Sequence, residues 1–261
     1  MKVKAILHVI EYDFKNFFRY RWFIIGLIAM NLADLFISAI VFTQMARINT
    51  PNFNYFQFFA PGLAVVGLFA SAFMIGREIN MEVRREIHHY LLSLPMTRTE
   101  LAIGRVLAGG LRGMLYMTPL LITNFLVIHF PTLPQLLLIL LTLLLLAIGI
   151  SGVSISIAVS TTSFEKFVTA RGVVYYLLFF CSSVFYPLLV IQNALEPKGL
   201  GLLVVFAQVN PLTSGADLIR SFLLDPQVYV FSPFMLLNVA IFSGMFASLA
   251  IFAYMKILQR H

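Results

Sequence analysis

The sequence predicts an all-α polytopic membrane protein with six transmembrane helices. Hydrophobic residues make up 60% of the chain and charged residues only 11%, where a soluble domain has about half and about a quarter. Six segments reach the roughly 20 residues needed to cross a hydrocarbon core. The basic residues fall into alternate loops, as the positive-inside rule requires.

Residues 1–21 open the chain as an amphipathic helix. Val3, Ile6, Leu7, Ile10, Phe14, Phe17 and Phe18 recur at helical spacing, with Lys2, Lys4, His8, Glu11, Lys15 and Arg19 mostly off that stripe. The pattern predicts an interfacial helix on the cytoplasmic leaflet, its lysines toward anionic lipid, and Trp22 marks the interface. The stretch is too long and too acidic for a cleavable signal, so the first span is expected in the mature protein.

The spans are placed at Trp22 to Phe42, Phe58 to Ile75, Leu101 to His129, Leu136 to Val159, Val173 to Ile191 and Pro233 to Ile257. Asn31 and Asp34 lie deep in the first span. An ionisable group there marks either a translocation path or a helix or subunit contact. Between spans two and three, Arg77 to Arg98 is the longest charged interval. Ile79, Val83, Ile87, Tyr90, Leu91 and Leu94 share one helical face, and Glu78, Glu82, Arg85, Glu86 and His89 lie largely on the other. Pro95 ends this helix, and Thr97 with Glu100 is a capping-box pattern that starts the next. The product is an elbow between two spans. Arg105 and Arg112, seven apart on one face of span three, are too costly for lipid and belong below the membrane or against protein. The FPTLP turn then makes spans three and four a tight antiparallel pair.

With the amino terminus cytoplasmic, that side also receives Arg77, Arg84, Arg85, Arg98, Lys166, Arg171, Lys256 and Arg260, and the opposite side keeps Arg47, Lys198 and Arg220. Before span six, EPKGLG at Glu196 to Gly201 reads as a turn, Leu202 to Val209 is apolar but too short to cross, and Ser214 and Asp217 offer a cap to a helix striped by Leu218, Ile219, Phe222 and Leu223. These form a re-entrant outer hairpin, tolerated at membrane depth only where it packs on protein or lines a cavity. With no internal repeat or low-complexity linker, residues 1–261 form one domain: the interfacial helix 1–21 and a six-span core 22–257.

Several chemistries fall away. The net charge of +7 is spread over loops with no stacking platform, so it reflects membrane topology and not nucleic acid. Cys181 stands alone, which excludes an intramolecular disulfide or a cysteine metal cluster. Adjacent His88 and His89 diverge on a helix and cannot share one metal without other ligands. Gly104 to Gly110 imitates a phosphate loop's glycine spacing without its Lys-Ser/Thr pair. The Gly109 and Gly113 pair instead suits close helix packing. Gly149-Ile150-Ser151-Gly152 looks like the GxSG nucleophile motif of rhomboid-type intramembrane serine proteases, but span six supplies no histidine as base. Ser151, Ser154 and Ser156 are better placed at helix contacts. A stand-alone channel or secondary transporter is the remaining alternative.

FAPGLAVVGLFASAF at Phe59 to Phe73, YLLSLPMTRTELAIGRVLAGGLRG at Tyr90 to Gly113 and NPLTSGADLIRSFLL at Asn210 to Leu224 resemble, in order, the PG-containing second span, the elbow exit and the outer segment of permease subunits of ABC-2 type exporters. Arg85-Glu86-Ile87 departs from that family's usual Glu-Gly-Thr-type stretch before LLSLP. The resemblance implies that the elbow is a coupling helix docking into a separate ATP-binding cassette subunit, ATP and Mg being bound there. Glu82, Arg85, Glu86 and His89 are then the groups expected to meet it. It also implies two ATPase copies, a second permease as homodimer or close paralogue, a plasma-membrane location and a hydrophobic or amphipathic cargo such as a lipid, lipid-linked glycan or drug. No catalytic, cofactor-binding or metal residue is expected on this chain.

Overall fold

A computed structural model describes residues 3–19, 54–85, 95–161, 163–225 and 229–259, with scattered positions in 21–44 and at 87 and 90. Every regular element among them is helical: α1 Val3–Arg19, α2 Tyr55–Phe73, α3 Ile75–Arg84, α4 Arg98–Val127, α5 Leu133–Ser160, α6 Phe164–Phe180, α7 Leu188–Leu195, α8 Gly201–Val209, α9 Pro211–Leu223 and α10 Pro233–Gln259, with a 3-10 turn Glu196–Lys198 after α7.

Among the described residues, four helical units are long and apolar enough to span a membrane: α2 with α3 (Tyr55–Arg84), α4, α5 and α10. They correspond to the expected second, third, fourth and sixth spans. The first span is described in part, and each described position between Trp22 and Val41 is helical, whereas Asn31 and Asp34 lie outside the described residues.

Helix starts follow the sequence chemistry. Thr97 accepts from the Glu100 N–H at 3.2 Å while Glu100 accepts from the Thr97 N–H at 2.9 Å, the expected capping box of α4. Asn54 caps α2 by accepting from the Phe56 and Gln57 N–H groups. Lipid gives helices no hydrophobic reason to associate, so close contact at small residues must do that work. Gly109 of α4 lies on Ser151 of α5, and Gly76 of α3 lies on Ser154, whose hydroxyl donates to the Phe73 carbonyl. α5 packs along both α4 and α10, and α2 along α4. One apolar core, including Phe58, Phe69, Leu143, Leu146, Leu212 and Ile219, fills the middle and one end of the bundle. A second, with Val9, Ile75, Ile79, Leu101, Val106, Ile155 and Tyr254, fills the end where α1, α3 and the start of α4 meet.

Three expectations are corrected. The fifth span is not continuous: α6 stops at Phe180 and the chain is irregular from Cys181 to Pro187. Pro187 lacks the N–H to continue a helix and disfavours helical geometry in Tyr186, and the freed carbonyls find donors elsewhere. Asn210 Nδ2 donates to the carbonyls of Leu178 at 2.9 Å and Cys181 at 2.7 Å, and the Ser183 N–H donates to Thr213 Oγ1 at 2.9 Å. The cap of α9 is Asn210, which accepts from the Leu212 N–H at 3.0 Å; Ser214 and Asp217 are inside the helix. Finally, α3 continues α2 across the single residue Met74. The first part of the elbow therefore extends span two as part of a 30-residue unit.

The segment before α10 comprises α8 and α9, bent by 62° at Asn210-Pro211. The expected EPKGLG turn is present, closed by Gly199 in the left-handed region at φ 72°, where only glycine sits without strain.

Candidate functional site

The described residues bury three arginines almost completely, and these organise the two ends of the bundle. Arg105 and Arg112, at 1% exposure, project from the same face of α4. Arg105 donates to Asp13 of α1 at 2.7 Å and, through its other terminal nitrogen, to both carboxylate oxygens of Glu82 of α3 at 2.7 Å. Arg112 pairs with Asp13 at 2.8 Å and Glu78 at 2.7 Å, and donates to the Asp13 carbonyl at 2.8 Å. Seven residues on α4 thus match four on the antiparallel α3, with Asp13 between. Aromatic rings of α1 face the cations: Tyr12 under Arg105 at 5.7 Å and Phe17 under Arg112 at 5.1 Å. Tyr254 of α10 is buried beside Arg105. Val9 fits α4 because Gly104 has no side chain, a Cβ there falling 2.8 Å from the valine.

This latch joins α1, α3 and α4. Three carboxylates face two guanidiniums, leaving one negative charge in excess. Burial accordingly pushes the Asp13 carboxyl up to about 6, against the pull of Arg105 and Arg112 and with the repulsion of Glu78 and Glu82.

At the other end, Arg220 of α9 is fully buried and answered mainly by backbone. Its Nε donates to the Phe58 carbonyl at 2.9 Å, Nη1 to the Ser183 carbonyl at 3.0 Å and to Asp217 at 2.7 Å, and Nη2 to the Val184 carbonyl at 3.0 Å. Its guanidinium lies 3.7 Å from the Phe58 ring centroid. The pairing needs Gly62, where a Cβ would meet the Val184 oxygen at 2.8 Å. This knot binds α2, the break after α6 and α9 together.

The residues anticipated as functional are distributed unevenly. Glu82 turns in to Arg105, because a buried arginine needs a carboxylate, and its assignment to an outward polar face is corrected; Glu78 pairs with Arg112 from the rim, with 39% of its side chain exposed. Arg85 is exposed at the end of α3, and Glu86 and His89 lie outside the described residues. Arg105 and Arg112 pack on protein, as expected. Asp13 was not anticipated: the buried face of α1 is Ala5, Ile6, Val9 and Asp13, whereas Val3, Leu7 and Phe18 stay exposed. Its signal was the four-residue step from Val9, facing two arginines that needed a partner. Arg220, counted among the outer basic residues, is interior. Ser151 is buried against Gly109 with no hydrogen-bond partner among the described residues, and α10 carries no histidine, so the protease alternative has no support.

An all-helical bundle with several helices long and apolar enough to cross a membrane, tied together by buried arginines, is that of a helical membrane protein. The chain belongs to the ABC-2 type transporter family, whose model matches residues 4–224. No individually curated protein matches it. It is therefore the membrane permease type of subunit, distinct from the ATP-binding one, and the family generally works with a separate ATP-binding subunit.

Proposed function

We propose that this chain is the permease of an ATP-driven exporter that moves a hydrophobic or amphipathic substrate out of the cytoplasm. Two copies of a separate ATP-binding subunit energise it, and two permeases, identical or closely related, form the path across the plasma membrane. Both termini and the α3–α4 connection face the cytoplasm, in keeping with the basic residues there. Asn31 and Asp34 line the path or a subunit contact.

The observation that carries this reading is the latch. The end of α3 leads directly from span two into the connection that holds Arg85, Glu86 and His89, and Glu78 and Glu82 tie α3 to α4 and α1. A push delivered at Arg85 by closure of the ATPases is then passed to three helices as one body, instead of being lost in a loose loop. Glu82 serves the coupling from within, and Arg85, Glu86 and His89 touch the partner.

The test is co-purification of the permease with a candidate ATP-binding subunit from the same organism, followed by ATP hydrolysis and transport measurements. Complex formation with cargo-stimulated hydrolysis is expected. Transport by the permease alone would overturn the reading in favour of a channel or secondary transporter.

A further inference from the structure

The acids of α3 face α4, but its arginines take another side. Arg77 and Arg84 stand seven apart, and Arg84 lies over the Phe164 ring at the start of α6, 5.6 Å from its centroid. Arg77 is near enough to Arg171 of α6 for the two cations to repel. Among the described residues the nearby carboxylates of Glu78 and Glu82 are taken by Arg112 and Arg105, and no ion pair reaches Arg77 or Arg171. Arg171 is braced on the Phe73 ring at 5.4 Å, and its Nε is buried with no acceptor. It also lines a cavity of ≈ 450 Å³ whose other walls include Tyr175, Tyr176, Tyr116, Met74 and Phe17, a size suited to a small ligand.

A guanidinium at the cavity wall with a buried undonated N–H is an arrangement that an anion would relieve, and the charge of Arg77 adds to the positive field there. The largely aromatic and aliphatic walls beyond it suit an alkyl chain. We propose that this cavity binds an amphiphile with a phosphate or carboxylate headgroup, the headgroup on Arg171 and the chain against Tyr175, Tyr176 and Met74. As the class of cargo this rests on the exporter reading above; binding to the permease alone does not.

Hexadecyl phosphate, hexadecylphosphocholine and inorganic phosphate separate headgroup, chain and free anion. Binding to the purified full-length permease in an uncharged detergent is measured by native mass spectrometry. Hexadecyl phosphate is expected to bind about tenfold or more tightly than hexadecylphosphocholine, the size of a charge-assisted hydrogen bond, and to resist displacement by equimolar inorganic phosphate. Arg77→Gln with Arg171→Gln should abolish that preference. Ala70 of α2 also lines the cavity, and Ala70→Phe, which fills it, should weaken both chain-bearing probes alike. Equal affinity of the two amphiphiles for the unaltered protein, a preference that survives the double substitution, or full displacement by inorganic phosphate would each overturn the proposal. Should the double variant fail to fold, the unaltered protein and Ala70→Phe still decide it. Selective binding without any ATPase partnership would sink the exporter reading alone, and partnership without selective binding would sink this site alone.

Discussion

The latch around Arg105 and Arg112 and the knot around Arg220 solve the same problem by different chemistry. All three guanidiniums are withdrawn from water, a cost of several kcal/mol each unless answered. The latch answers with side-chain carboxylates from two other helices, so it depends on charge and can take up a proton. The knot answers mostly with backbone carbonyls, two of them where α6 breaks, so it depends on geometry. A fixed seam thus lies at one end of the bundle and a charge-governed joint at the end where α3 leads into the connection to α4. On the exporter reading proposed above, this joint is what would make α1, α3 and α4 move as one body.

The largest effect is expected at the seam. Arg220→Met should lower stability by about 3 to 5 kcal/mol, since it strands Asp217 and several buried carbonyls, and thermal unfolding in detergent measures it. Arg220→Lys should recover little, because an ammonium cannot reach acceptors on three sides as the planar fork does. If Lys restores full stability, the knot is a point charge and the contrast with the latch disappears.

Asp13→Ala should cost about 3 kcal/mol or somewhat less, since Glu78 and Glu82 still answer the two arginines. Its distinctive consequence should be release of α1, seen as faster proteolysis near the amino terminus than in Arg220→Met.

The pH response sharpens the comparison further. The folded-state value for Asp13 is raised from 3.8 to about 6, so between those values the folded protein binds more protons than the unfolded one. This group's contribution to stability is therefore fully present below pH about 4 and is lost as pH rises through about 6. The melting temperature should gain on going from pH 7 to pH 5 in the unaltered protein relative to Asp13→Asn, whose amide cannot titrate. An identical pH dependence of the two proteins would remove the proton from the account of the latch.

The smallest effect on stability belongs to the exposed end of α3. Reversing Arg85 and Glu86 together should change stability by less than about 1 kcal/mol while reducing association with the ATP-binding subunit. Normal association in a folded double variant would leave the joint without its expected input.

Apolar run length, helix caps and turn chemistry are local properties, and the sequence alone determined what depends on them: the membrane class, four of the spans, the Thr97 and Glu100 start of α4, the turn ending at Gly199 and the need for Arg105 and Arg112 to avoid lipid. The tertiary structure decided the partners. Periodicity placed Glu78 and Glu82 on a polar face, but the buried arginines of α4 turned that face inward. Asp13 is not among the residues singled out on α1; the packing of Val9 at Gly104 carries it between the same two arginines. The run from Val173 to Ile191 is apolar enough to read as one helix. It breaks where Pro187 cannot donate to the Ser183 carbonyl and Arg220 does so instead, while Asn210 takes the Leu178 and Cys181 carbonyls at the end of α6, both donors lying about 30 to 40 positions away in the chain. A buried charge or an unpaired carbonyl demands a partner, and one-dimensional spacing does not say which distant residue will provide it.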